Sequence, residues 1–185
     1  GCTALTDVKI PSTVIHLNSG SFSGCKKAFE TENGITYVDK WVIDYDGTTT
    51  NVVLRDDTVG IVNNVFYASS KLTSISLPDS LTVIGEDAFT SCKALQSLII
   101  PNSVTDIGDY AFERCSALAT INLSNGVTSI GDYAFAYCSG LTSVIIPGSL
   151  TSIGVYAFDQ SGNSATVTIS DGFSNIGELW HILLS

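Results

Sequence analysis

Leu118-Ala-Thr-Ile121-Asn-Leu123-Ser-Asn-Gly-Val127-Thr-Ser-Ile130-Gly131-Asp-Tyr-Ala134-Phe135-Ala-Tyr-Cys138 decides the architecture, because its spacing recurs. The same pattern starts at Leu72 and Leu95, and again at Leu141 in a copy that lacks only the cysteine. Ile84, Ile107, Ile130, Ile153 and Ile176 stand 23 residues apart, and each is followed by glycine. Phe66, Phe89, Phe112, Phe135 and Phe158 keep the same step. A strict period in this range predicts a stacked solenoid, since one such unit cannot bury its apolar face alone. In that architecture function belongs to a surface rather than to a pocket.

Within one unit, Leu95, Leu98 and Ile100 read as the inward residues around a short strand, with Ser97 and Ile99 pointing out. Pro101 and Asn102 turn the chain, and Val104 and Ile107 supply a second short extended segment. Gly108 is expected to take a backbone conformation that other residues resist. Asp109 then reads as the cap of a single helical turn carrying Ala111 and Phe112 inward, and Cys115 closes the unit.

The N-terminal part follows the rule with a phase break. Val8, Ile10, Pro11, Val14, Leu17, Phe22 and Cys25 match Ile75, Leu77, Pro78, Leu81, Ile84, Phe89 and Cys92 at an offset of 67, two short of three periods. Residues 26–51 lack the repeat signals and predict an irregular hairpin, with strands around Asp39-Lys40 and a turn at Asp46-Gly47. Toward the C-terminus Trp180 and His181 replace the Ala-Phe pair, so 173–185 reads as a cap containing Trp180, Leu183 and Leu184. The whole chain, 1–185, is expected to be one continuous stack of about seven turns. Gly1-Cys2 matches Gly24-Cys25, so the sequence enters mid-repeat, as a piece of a longer protein would.

A 44% apolar fraction with 14% charged residues excludes disorder. The net charge of −10 argues against nucleic acid, which is bound by lysine and arginine on phosphates. All eight basic residues lie at or before Arg114, and residues 115–185 are rich in Ser, Thr and Asn. No apolar run is long enough to span a membrane.

The run Leu118-x-x-Ile121-x-Leu123, then Val127-x-x-Ile130-Gly131-x-x-Ala134-Phe135-x-x-Cys138, resembles the 23-residue repeat of the BspA-like bacterial leucine-rich repeat family. The resemblance covers most of the chain, excluding 26–51 and roughly the last dozen residues. It implies a β-rich α/β solenoid, a right-handed leucine-rich-repeat stack with short strands and single helical turns. It further implies a secreted or cell-surface bacterial protein that recognises other proteins, host matrix proteins or mucin among them, with host adhesion as one role. A carbohydrate-binding surface protein and a structural spacer in a larger surface protein stand as alternatives. Fold-level likeness carries function only weakly.

Cys2, Cys25, Cys92, Cys115 and Cys138 form one ladder. They contain no Cys-x-x-Cys pair for a metal, and stacked parallel side chains do not reach the disulfide torsion, so buried free thiols are expected. His16 and His181 sit at opposite ends, no catalytic constellation follows from the sequence, and no enzyme activity, metal or cofactor is expected. Candidate contact residues fall in three groups. The outward strand ladder offers Ile99, Asn122 and Ile145. The position before each Ala-Phe gives a ladder of Tyr110, Tyr133 and Tyr156, which could meet sugar rings or a protein, or could simply shield the edge of the turn. The hairpin places Tyr37, Trp41 and Tyr45 off the repeat, where a loop on a rigid scaffold would carry specificity or pack back onto its neighbours.

Overall fold

The computed structural model describes residues 3–11, 14, 17–18, 20–162 and 165–172. The expectations for Cys2, His16, His181 and the C-terminal cap with Trp180, Leu183 and Leu184 lie outside the described residues.

After one 3-10 turn at Lys26–Ala28, the antiparallel strands β1 (Glu30–Glu32), β2 (Ile35–Val38) and β3 (Trp41–Tyr45) open the stack. The chain then alternates between two strand positions in each turn: β4 (Asn51–Val53), β5 (Gly60–Ile61), β6 (Ser74–Ser76), β7 (Val83–Ile84), β8 (Ser97–Ile99) and β9 (Asp106–Ile107). The alternation continues through β10 (Thr120–Asn122), β11 (Ser129–Ile130), β12 (Ser143–Ile146), β13 (Ser152–Ile153) and β14 (Thr166–Ile169). Strands β8, β10, β12 and β14 form one parallel sheet, and β4 with β6 forms a parallel pair. On the second side β3, β5, β7, β9, β11 and β13 are parallel neighbours, with β1 and β2 at the edge. Ladder register equals sequence period: Thr120 faces Ser97 on one side and Ser143 on the other.

Among the described residues six main strands make about six turns, not seven. None of the described residues before Lys26 belongs to a helix or strand. Instead Val8, Ile10, Val14, Leu17 and Phe22 pack, half buried, against the common core, and the Ile10 N–H donates to Asp39 Oδ2 at 2.9 Å. Where a parallel strand would have joined the first repeat to the rest, the antiparallel hairpin intervenes. Its β3 pairs Trp41 with Gly60, 19 residues on, whereas Gly60 pairs with Val83 at the full 23. This turn is four residues shorter than the period and lies within the stretch where the sequence loses its phase.

The expected single helical turns do not form. Asp87, Tyr110, Tyr133 and Tyr156 have φ of 55 to 57°, and Ser91, Arg114, Tyr137 and Gln160 have φ of 50 to 61°. A left-handed residue at every fourth position cannot sit in an α-helix. Its consequence is that alternate amides turn along the stack. The N–H groups of Asp87, Phe89 and Ser91 donate to the carbonyls of Asp109, Ala111 and Glu113 in the next turn, at 2.7–3.0 Å. Between them, Thr90 and Cys92 donate locally, to Asp87 and Phe89. All three sides of the solenoid are therefore tied rung to rung, and the α/β description gives way to an all-β one with turns.

Gly108 also departs from expectation, since its φ is not left-handed. The constraint is space. A methyl there would lie 2.7 Å from Glu86 N and 2.8 Å from the Gly85 carbonyl carbon, in the turn below. Glycine allows the two backbones to approach this closely. Asp109 likewise caps across turns rather than within one: its Oδ1 accepts the Asp132 N–H at 2.8 Å, and Asp132 Oδ1 accepts that of Val155 at 2.8 Å.

Inside, Phe66, Phe89, Phe112, Phe135 and Phe158 form a column with centroids 4.8–5.2 Å apart and planes within 12°. Burying each ring contributes roughly 1.5–3 kcal/mol of hydrophobic stabilisation. Cys25, Cys92, Cys115 and Cys138 are buried and free. The thiols of Cys92, Cys115 and Cys138 donate to the carbonyls of Phe66, Phe89 and Phe112 at 3.0–3.2 Å. Ser161 takes the cysteine's place in the following turn and bonds Phe135 O at 2.5 Å. A residue here must be small and able to donate, which cysteine and serine share.

Candidate interaction surface

The three groups of candidate residues fare differently. Tyr37, Trp41 and Tyr45 are buried, at 2%, 1% and 8% exposure, which removes them as contact residues. Trp41 fills the space left by the missing side chain of Gly60, where any Cβ would run into its ring. Tyr45 extends the phenylalanine column, its ring 4.9 Å from Phe66, and its hydroxyl donates to Thr49 O. Tyr37 packs under the Arg55 guanidinium, 4.0 Å from the ring centroid, and burial pushes its phenol pKa up. Arg55 in turn binds Glu30 at 2.6 Å and the Asp39 carbonyl at 2.5 Å. The hairpin aromatics are thus the lid of the core, because an open solenoid end must be covered by apolar residues.

Tyr110, Tyr133 and Tyr156 do form a ladder. Tyr110 and Tyr133 stack at 5.2 Å and 4°, and Tyr133 meets Tyr156 at 5.1 Å and 32°. Partial desolvation, reinforced by the neighbouring phenols, raises the Tyr133 pKa. Stacking occupies the ring faces. Tyr133 has one tyrosine on each side, so a sugar ring could not lie on it without parting the ladder.

Ile99, Asn122 and Ile145 project from the main sheet. Ile99 is 70% exposed and Ile145 51%, and Val53 holds the same column in β4 at 72%. The alternating pleat explains this: Leu98, Ile121 and Val144 point in and are buried, so their strand neighbours must point out. The parallel column Ser97, Thr120, Ser143 and Thr166 is exposed, and among the described residues no hydrogen bond uses those hydroxyls. From Asn51 to Thr168 neither outward column contains an ionisable residue, although the chain carries −10.

A groove on the other side was not legible in the sequence. A groove of about 530 Å³ lies against the second sheet, lined by Val14, Thr82, Glu86, Asp106 and Asp109 among others. Its polar groups are largely engaged already: Thr82 Oγ1 bonds Val59 O at 3.0 Å, Asp106 Oδ2 accepts from Thr105 at 2.6 Å, and Asp109 caps the turn above. Among the described residues no group of three or more His, Cys, Asp or Glu is placed to hold a metal ion, and no helix is long and apolar enough to cross a membrane.

The geometry defines a parallel β-solenoid with one uncharged, partly apolar sheet face. The chain belongs to the family of the BspA type leucine-rich repeat region, whose model matches residues 1–118 and 59–180 in six copies. No curated protein matches it. Among solved structures it is similar to a leucine-rich repeat protein of T. pallidum, at 28% identity and a TM-score of 0.63, over 71% of this chain and 63% of that one. The pneumococcal vaccine antigen PcpA shares the fold at 16% identity and a TM-score of 0.55, over 78% of this chain and 50% of PcpA. A leucine-rich cell surface protein of Faecalibacterium prausnitzii does so at 21% and 0.50, over 76% and 54%. The chain therefore spans less than two thirds of each of these proteins.

Proposed function

We propose that this chain is a protein-recognition module of a bacterial surface or secreted protein, and that it binds through the outward face of its main strand ladder. The observation that carries the reading is the line of exposed Val53, Ile99 and Ile145 on a sheet face without charge. Apolar side chains of this size left in water along one line mark an interaction surface more than scattered singles do. Membership of a leucine-rich repeat family, whose members generally bind proteins, supports the same reading. Host matrix proteins and mucin are the partners to screen first, and host adhesion is the role that such binding would serve.

The test is a binding screen of the chain against matrix proteins and mucin, beside an Ile99→Asn, Ile145→Asn double variant. Asn122 occupies the same column one turn away, so asparagine is compatible with the ladder. Binding that the double variant weakens by an order of magnitude or more supports the proposal. A folded chain that binds nothing on the panel would overturn it in favour of a spacer that carries other parts of a longer protein.

A further inference from the structure

We infer that the strand face is shaped for a partner segment in the extended polyproline II conformation, apolar at every third residue and without charged side chains. The inference rests on the reading of this face as the binding surface and names what it binds.

The outward column reads Val53, Ser76, Ile99, Asn122, Ile145, Thr168. Apolar and polar residues alternate strictly, so the apolar ones recur every 46 residues, on every second rung. This two-turn alternation extends into the loops of the last four rungs, though not into Val53-Leu-Arg-Asp-Asp57 or Ser76-Leu-Pro-Asp-Ser80. Ile99-Ile-Pro-Asn-Ser103 returns as Ile145-Ile-Pro-Gly-Ser149, while Asn122-Leu-Ser-Asn-Gly126 returns as Thr168-Ile-Ser-Asp-Gly172. The loop difference has a structural basis, since a Cβ at Gly126 would collide with the carbonyl of Asn102 in the turn before.

Hydrogen-bonded strands neighbour each other at about 4.8 Å, which puts Ile99 and Ile145, two rungs apart in one sheet, about 9.6 Å apart. A polyproline II helix rises about 3.1 Å per residue with three residues per turn, so one side returns every 9.3 Å or so, close to that separation. An α-helix returns to the same face after seven residues, about 10.5 Å, and overshoots the Ile99–Ile145 separation by about 1 Å. An extended strand repeats its side at about 6.7 Å and cannot meet both.

Hydrogen bonding favours the same partner. Polyproline II has no internal hydrogen bonds, so its carbonyls need donors when they leave water. The hydroxyls of Ser97, Thr120, Ser143 and Thr166 stand beside the apolar line, and among the described residues none has a hydrogen-bond partner. A helix, its backbone already satisfied, would leave them unused. Charge selects as well. Outward positions from Asn51 to Thr168 offer no ion-pair partner, so a charged side chain docked there would lose water and gain nothing.

The probe is a fluorescent, end-capped peptide of four Pro-Pro-Leu repeats, titrated against the chain and read by anisotropy. One control has the same composition with its leucines two and four residues apart. A second is an uncharged helical peptide with leucine at every seventh position. The phased peptide should bind, each of Ile99→Asn and Ile145→Asn should weaken it about tenfold, and salt up to about 0.5 M should leave it unchanged. Thermal melting of each variant shows that it remains folded. No binding of the phased peptide at millimolar concentration overturns the inference, as does equal binding of the misphased control, tighter binding of the helix, or indifference to both substitutions. If the peptide fails while a panel protein still loses affinity in the double variant, the polyproline II partner is refuted and the binding face stands. If neither ligand depends on Ile99 or Ile145, both fall.

Discussion

Replacing Gly108 by alanine tests the closeness of the stacking, on which every other contact depends. The added methyl would sit 2.7 Å from Glu86 N, against 3.4 Å for an ordinary contact, and the obstacle is backbone that cannot rotate away. The two turns must part by about 0.7 Å locally. Overpacking of this kind costs about 1–3 kcal/mol. Parting also stretches the bonds Gly108 N–H to Ile84 O, at 3.1 Å, and Asp87 N–H to Asp109 O, at 3.0 Å, each contributing about 1 kcal/mol when intact. Reduced freedom of the unfolded chain returns about 0.4–1 kcal/mol. The net expectation is a loss of about 2–3 kcal/mol, or a melting temperature lower by about 4–12 °C for a chain of this size. Circular dichroism melts with urea titration measure both. Gly20 is the control, because nothing lies within 4 Å of a Cβ there and its φ is not left-handed. Gly20→Ala should be neutral or stabilising. A Gly108→Ala melt that coincides with the Gly20→Ala melt would refute the argument from space.

Further outcomes follow from the same geometry. Ala68 holds φ of 54° in an exposed turn, so Ala68→Gly should stabilise by about 0.5–1 kcal/mol, once its left-handed strain is set against glycine's extra chain entropy; urea titration checks the sign. Burial pushes the Cys138 thiol from 9.0 up to about 12, and a raised folded-state pKa is a stability contribution present below pH 9 and lost as pH rises toward 12. Because all four are buried, a thiol reagent at neutral pH should leave Cys25, Cys92, Cys115 and Cys138 unreacted in the folded chain and find all five cysteines free after denaturation; a count of three or one would mean disulfides. Trp41→Ala should cost about 3–5 kcal/mol, since the ring fills the gap over Gly60. For the same reason, exchanging residues 35–46 for a short loop should unfold the N-terminal end, which a melt would reveal.

The sequence disclosed most of what a period can disclose. Leu95, Leu98, Ile100, Val104, Ile107, Ala111, Phe112 and Cys115 are all buried, and Ser97 and Ile99 point out, as the repeat requires. The turn before each cysteine was not legible, because Tyr110, Arg114 and Tyr137 are not residues that announce a left-handed backbone; their φ is imposed by the hydrogen bonds to the next turn. The role of Gly108 is hidden in the sequence for a related reason. A glycine needed for closeness and one needed for positive φ look identical until the neighbouring chain is in place. The hairpin aromatics failed differently, since the burial of Trp41 depends on an absent side chain at Gly60, 19 residues away. Of the surface, Ile99 and Ile145 were visible as departures from a polar column, and their exposure bears out the pleat that predicted them.

The most direct test of the account is an amide chemical-shift map of the isotope-labelled chain with the strongest binder from the matrix and mucin panel. The account predicts that shifts gather on β8, β10 and β12, around Ile99, Asn122 and Ile145. Shifts gathered instead on the turns carrying Tyr110, Tyr133 and Tyr156 would contradict it.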